Sequence, residues 1–148
     1  MTFTNHAVTG ALVAAAINYP PISLPAALAS HFVIDAIPHW KYRPPVRYKK
    51  PIVVIDALAV ICLLALFSAT VNASAWLIIL GGLLGSLPDV MWLPAGLKNK
   101  DVPMNRPTIL HYLRRFHTWV QWNEKPFGKY IEVVWFGVTL VLIYQIHH

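Results

Sequence analysis

Residues 51–69 form an almost unbroken apolar stretch in which Asp56 is the single charged residue. A helix rises about 1.5 Å per residue, so about 20 apolar residues are needed to cross the hydrocarbon core of a bilayer. Only 12% of the whole chain is charged, whereas soluble domains carry about 25% of such residues. The stretch and the shortage of charge together predict an integral membrane protein.

Sequence breaks divide the rest of the chain into further helical segments. The sequence Asn-Tyr-Pro-Pro at 18–21 ends the first segment and Pro38 ends the second, because proline cannot continue a helix.

Residues 107–120 have apolar side chains at helical spacing, with Arg114 and Arg115 between them. This pattern is typical of an amphipathic helix that lies on a membrane surface.

The segments predict a single all-α domain over residues 1–148. We expect an integral membrane helical bundle with a short N-terminal helical hairpin, three longer spans and a surface amphipathic helix. The expected helices are the hairpin at about 4–17 and 24–37, the spans at 51–69, 75–93 and 128–146, and the surface helix at 107–120.

The basic residues are concentrated in two parts of the chain. Nearly all the Lys and Arg residues lie at 41–50 and 98–129, whereas the turns at 18–23 and 70–74 contain none. An even number of crossings separates the two basic parts, so both face the same side, which the positive-inside rule makes the cytoplasm. We therefore expect an inner (cytoplasmic) membrane of the bacterial type. The net charge of +6 then comes from loops on one side of the membrane. We therefore expect membrane lipid, and not nucleic acid, as the partner of this chain.

The stretch Ser30–Trp40, SHFVIDAIPHW, places His31, Asp35 and His39 four residues apart. Side chains at this spacing share one face of a helix. Imidazole and carboxylate together suit zinc, and also manganese or iron. The stretch therefore predicts part of a metal site.

The expected topology brings further ionisable residues to the same cytoplasmic depth, because each lies where a segment begins or ends on that side. A carboxylate in an apolar helix costs about 2.5–3.5 kcal/mol, so each needs a partner or a cation. We therefore expect a centre of one or two divalent ions, zinc before manganese or iron, held by ligands from separate segments: His6, His31, Asp35, His39, Asp56, Asp89 and His117.

Other roles are open for individual members of this set. His31 and Asp35 suit a buried hydrogen-bonded pair as well as a metal site, and His39 suits the membrane interface. Asp89 follows a proline and suits a helix cap, and His6 suits a local cap or pair.

The sequence Leu28–Trp40, LASHFVIDAIPHW, resembles the His-x-x-x-Asp helix of the zinc-dependent phospholipase C and single-strand nuclease superfamily. It resembles still more the family of inner-membrane-bound, metal-dependent hydrolases. Three further motifs match that family: His6 in an apolar helix, SLPDV with Asp89, and RRFHTW with His117. The order of the motifs differs here, and the acid that follows Leu-Pro-Asp in the family is missing. The resemblance implies a helical membrane protein that binds metal and hydrolyses its substrate.

The expected reaction is metal-assisted hydrolysis, in which metal ions polarise a phosphoryl or acyl oxygen and activate a bound water. Asp56 or Asp89 would act as the general base, and Arg114 and Arg115 would hold a phosphate or contact anionic lipid headgroups. A site at headgroup depth indicates a phosphoester or lipid-derived substrate. Two other functions fit the same residues: a small ion-coupled transporter with Asp35, Asp56 and Asp89 as coupling carboxylates, and a metal-stabilised scaffold with a closed ligand set.

Overall fold

The computed structural model describes residues 1–40, 45–93 and 108–147. Within these ranges the regular elements are helices, and the expected all-α architecture is confirmed for them. The helices are α1 (Phe3–Ile17), α2 (Pro20–Asp35), α3 (Val46–Thr70), α4 (Ala75–Val90), α5 (Ile109–Val120) and α6 (Gly128–His147), with a 3-10 turn at Gln121–Asn123.

Two of the described helices are long and apolar enough to cross a membrane, over Arg47–Thr70 in α3 and Gly128–Ile146 in α6. Only 17% of the most apolar part of each is buried inside the bundle, whereas the core helix of a soluble protein is mostly buried. The structure does not show the expected third long span, because α4 has 16 residues and a full crossing needs about 20.

The turn between α1 and α2 has clear local causes. Asn18 ends α1 in the left-handed region, with φ of 47°, and its N–H bonds to the carbonyl oxygen of Ala14. Asparagine is one of the few residues besides glycine that adopt this conformation readily. Pro20 then starts α2 about four residues earlier than expected, because proline is well tolerated in the first turn of a helix.

Helix α1 packs against α2, α3, α4 and α6 and so occupies the middle of the bundle. Its closest approach is to α4, where a Cβ added at Gly10 would collide with the carbonyl oxygen of Gly81. A Cβ at Gly85 would lie 2.5 Å from the carbonyl oxygen of His6. Small residues of this kind let helix backbones touch, and here they bring the end of α4 against the beginning of α1.

Five helices meet at one end of the bundle. The carboxylate of Asp56, about three turns into α3, accepts a hydrogen bond from the N–H of Phe3 at 3.1 Å. The carboxylate of Glu132, near the start of α6, accepts one from the N–H of Thr2, also at 3.1 Å. The N-terminal half of α3 therefore lies beside the beginnings of α1 and α6, and the site described below adds the ends of α2 and α4.

The described basic residues that begin α3 and α6 lie at this same end: Arg47, Lys49, Lys50, Lys125 and Lys129. Residues 41–44 and 98–107, which belong to the two basic parts of the sequence, lie outside the described residues. The charge asymmetry of the described helices agrees with the expected topology, and the cytoplasmic assignment itself stays a prediction.

Candidate metal centre

Four side chains from three helices come together at this end of the bundle and could hold a metal ion. His6 lies on α1, His31 and Asp35 on α2, and Asp89 on α4, and one ligand atom of each lies within 4.8 Å of the others. The side chains of His6, His31 and Asp35 are fully buried, whereas that of Asp89 is 22% exposed. The group is therefore buried on most sides and is partly open to its surroundings at Asp89.

The distances within the group match the spacing of atoms around a metal ion. His6 Nε2 lies 3.1 Å from Asp35 Oδ1 and 3.7 Å from Asp89 Oδ2. His31 Nε2 lies 3.4 Å from Asp35 Oδ2 and 3.9 Å from Asp89 Oδ1. Tetrahedral zinc with bonds of about 2.0–2.1 Å places its ligand atoms about 3.3–3.4 Å apart, so small shifts would close the shell.

His6 provides an independent sign of an ion. The ring is completely buried, yet neither of its nitrogens makes a hydrogen bond within the described structure. The Nε2 atom approaches the Asp35 carboxylate without the alignment that a hydrogen bond needs. A cation held between Nε2 and the carboxylates would give this nitrogen a partner.

His31 has the second hydrogen-bond contact that metal-binding histidines usually have. Its Nδ1 atom lies 2.8 Å from the carbonyl oxygen of Gly85, so the ring is held in place from behind. Its Nε2 atom faces the carboxylates of Asp35 and Asp89. A backbone carbonyl behind the ring is a common second contact of histidine ligands.

His117 reaches the group from α5. Its Nε2 atom lies 2.8 Å from Nε2 of His31, 3.4 Å from Asp35 Oδ2 and 3.3 Å from Asp89 Oδ1. Its other nitrogen, Nδ1, accepts a hydrogen bond from the indole N–H of Trp92 at 3.2 Å. The structure therefore places His117 at the site, beside the four side chains that could hold an ion.

Asp35 is the most connected of the four side chains. Its Oδ1 atom pairs with the terminal ammonium of Met1 at 2.6 Å, and its Oδ2 atom accepts a hydrogen bond from the side-chain amide of Gln121 at 3.1 Å. These bonds join the residue before α1 and the 3-10 turn after α5 to the end of α2. They also fix the carboxylate where the histidines converge.

Two expected ligands lie outside the group and have other partners. The Asp56 carboxylate accepts hydrogen bonds from the N–H groups of Phe3 and Thr4 at 3.1 and 3.2 Å, and from the hydroxyl of Thr4. The first turn of a helix has N–H groups without partners inside the helix, and Asp56 caps them for α1. The ring of His39 bonds through Nδ1 to the carbonyl oxygen of Ile37 at 2.9 Å. The structure therefore gives both residues partners outside the group, while their expected roles as ligands, and that of Asp56 as the general base, stay predictions.

Neither of the two arginines expected to bind substrate has a described contact with the four side chains. Arg114 donates a hydrogen bond to the carbonyl oxygen of Met91 at 2.8 Å, and its guanidinium lies 5.6 Å from the ring centre of Trp92. Arg115 is exposed on α5. Their expected contact with a phosphate or with lipid headgroups stays a prediction.

Sequence reasoning did not assign Trp92, Gln121 or Gly85 to the site. Helical spacing offered a signal for Gln121, which lies four residues after His117. Trp92 lies three residues after Asp89, but a tryptophan near the end of an apolar segment is also typical of the membrane interface. Gly85 contacts His31 through its backbone carbonyl oxygen. Every residue has such an oxygen, so the residue type could not predict this contact.

The four side chains thus form a compact donor set of two imidazoles and two carboxylates that is buried on most sides. This set could hold a metal ion, with His117 as an additional polar group at its edge. No protein-family model matches this chain, and no curated protein and no solved structure matches it either.

Proposed function

We propose that this protein is a membrane-embedded, metal-dependent hydrolase that acts on a phosphoester or lipid-derived substrate at the cytoplasmic headgroup layer. The observation that supports it most is the buried group of His6, His31, Asp35 and Asp89, in which the ring of His6 has no hydrogen-bond partner. The resemblance of the SHFVID helix to metal-dependent hydrolases points to the same chemistry.

Zinc is the ion that we assign to the site. Two imidazoles and two carboxylates suit zinc, while manganese and iron accept the same donors. The four described ligand atoms fit one ion, and a second ion would need ligands beyond this group. A bound zinc ion lowers the pKa of its water to about 7 and polarises a phosphoryl or acyl oxygen.

Asp89 is the residue that we propose as the general base. It is the only one of the four side chains that is partly exposed, and a carboxylate at the open side is placed to accept a proton from an attacking water. Asp56, the other expected base, is occupied with the first turn of α1. The ion would then be held by His6, His31 and Asp35, which leaves one coordination position open to water beside Asp89.

The surroundings of the site support its proposed place at the headgroup layer. Helices α3 and α6 expose most of their apolar side chains, which suits contact with lipid. The site lies at the end of the bundle where Lys50 and Lys129 lie, and basic residues favour the anionic cytoplasmic leaflet. A substrate that enters beside Asp89 would therefore come from the level of the phosphates.

The test uses full-length protein purified in detergent without a metal-affinity step. We expect about one equivalent of zinc by elemental analysis, and metal-dependent hydrolysis of a chromogenic phosphodiester or of phospholipid vesicles. His31→Ala should lose both the metal and the activity. His111→Ala is the matched control, because this histidine also lies on a described helix but is not part of the group, and it should keep both.

A metal-stabilised scaffold is the second candidate, since three of the four side chains are fully buried. A structural zinc ion has four protein ligands and no open position. Cobalt substitution separates the two functions. A catalytic site should change its visible spectrum when inorganic phosphate or another small anion is added, whereas a closed site should not. Wild-type protein without bound metal after careful preparation would exclude both.

A further inference from the structure

Two histidines at the site differ in the partners of their outer ring nitrogens. Nδ1 of His31 lies 2.8 Å from the carbonyl oxygen of Gly85, and a carbonyl oxygen can only accept a hydrogen bond. Nδ1 of His117 lies 3.2 Å from the indole nitrogen of Trp92, and an indole N–H can only donate. Each partner has one possible role, so each fixes where the proton sits on the ring.

The two rings are therefore opposite tautomers. A neutral imidazole carries one N–H and one lone pair. His31 has its proton on Nδ1, which leaves a lone pair on Nε2. His117 accepts at Nδ1, which leaves its proton on Nε2.

A separate contact supports the same assignment. The two Nε2 atoms lie 2.8 Å apart, and a hydrogen bond at this distance needs one donor and one acceptor. The tautomers set by Gly85 and Trp92 provide this pair, with His117 as the donor and His31 as the acceptor. If both rings carried the proton on Nε2, the two hydrogens would face each other.

We propose that Trp92 holds His117 as a hydrogen-bond donor, so that His117 stands beside the metal ion and does not ligate it. A metal ion binds a nitrogen lone pair, and at the site this lone pair is available on His31 but not on His117. The Nε2–H of His117 also faces the carboxylates of Asp35 and Asp89, at 3.4 and 3.3 Å. Trp92 is then a positioning residue that acts through His117.

This assignment deepens the proposed function and, for its catalytic consequence, rests on it. When His31 binds the ion, its Nε2 no longer accepts from His117. The freed N–H, next to the open side at Asp89, would then donate to an anionic oxygen of the bound substrate. The substrate class indicated is an ester with a charged oxygen, which a phosphodiester has and a neutral carboxylic ester lacks. The sequence-based expectation of His117 as a ligand would accordingly be replaced by a role in binding substrate.

The tautomers can be measured directly by nuclear magnetic resonance of the full chain in detergent, with histidine side chains labelled with ¹⁵N. The measurement is made first on metal-free protein, so its result does not depend on metal binding or on hydrolysis. We expect His31 as the Nδ1–H tautomer and His117 as the Nε2–H tautomer, each assigned by the signal that disappears in His31→Gln or His117→Gln. The wild-type spectrum would overturn the proposal if it showed His117 protonated on Nδ1.

Trp92→Phe tests the positioning role, because it keeps an aromatic ring and removes the indole N–H. We expect His117 to become a mixture of both tautomers while His31 stays unchanged. Trp122→Phe is the matched control, since Trp122 is exposed at the end of α5, and it should leave both rings as in the wild type. An unchanged His117 signal in Trp92→Phe would show that Trp92 does not fix the proton.

Zinc titration completes the test. His117→Gln should keep a zinc affinity within about tenfold of the wild type, as expected for a residue outside the ligand set. The zinc affinity of His31→Gln should fall by more than the roughly 10–100-fold that is typical when an outer contact is lost. Equal losses in both variants would make His117 a ligand and overturn the proposal. If the tautomers are as expected but no variant or wild type binds metal, the proposed function fails and the assignment of Trp92 stands.

Discussion

His6 stacks on His31, with the ring centres 3.8 Å apart and the ring planes 21° from parallel. The two rings belong to different helices, and both present Nε2 to the carboxylates of Asp35 and Asp89. The stacked arrangement therefore directs donor atoms of α1 and α2 to the same pair of carboxylates.

Replacing His6 should remove the metal as completely as replacing His31. We expect His6→Ala to weaken zinc binding by more than about 100-fold, beyond the range typical of outer contacts, because a direct ligand of the ion is lost. Elemental analysis and competition with a chromogenic chelator measure this. If His6→Ala bound zinc as tightly as His111→Ala, His6 would not be a ligand.

Replacing Asp56 should affect the stability of the fold and leave the metal in place. Asp56→Ala removes the acceptor for the N–H groups of Phe3 and Thr4, and the loss of such a helix cap costs about 0.5–2 kcal/mol. We expect a lower midpoint of thermal unfolding in detergent, followed by circular dichroism, with zinc content unchanged. Loss of zinc from a folded Asp56→Ala protein would return Asp56 to the ligand set.

A glycine pair tests the close contact between α1 and α4. Gly81→Ala places a Cβ against Ala14 and the carbonyl oxygen of Gly10, and overpacking of this kind costs about 1–3 kcal/mol. Gly137→Ala, in α6, meets no atom within 4 Å, and we expect it to be neutral or to stabilise by about 0.4–1 kcal/mol. Thermal unfolding of both variants in detergent measures the difference. Equal midpoints would mean that the two helices do not pack as closely as described.

The single cysteine of the chain can test whether α3 crosses the membrane. Cys62 is exposed on α3, at a position that lipid should cover if α3 crosses the bilayer. A membrane-impermeant maleimide should leave Cys62 unlabelled in intact membranes and label it after detergent is added. Lys50→Cys in a Cys62→Ser background is the control, because Lys50 is exposed near the start of α3 and should be labelled on the side that it faces. Equal labelling of both positions in intact membranes would place α3 outside the bilayer.

Local sequence determined the helices and one half of the candidate site. Apolar stretches, prolines and Asn18 act within one or two turns, so the all-α class could be predicted from them. His31 and Asp35 were predictable as a pair for the same reason, since the geometry of a helix places residues four apart on one face. The length of α4 was overestimated, because apolar composition continues beyond the point where the helix ends at Val90.

Only the tertiary structure decided which distant side chains join that pair. His6 and Asp89 meet His31 because Gly10, Gly81 and Gly85 allow two backbones to touch, and this depends on atoms that are remote in the sequence. Asp56 has the same chemistry as Asp89 and lies towards the same end of the bundle, yet it bonds to the unpaired N–H groups of α1. Residue type thus supplied the candidates, while packing decided which carboxylate faces the histidines and which one faces backbone N–H groups.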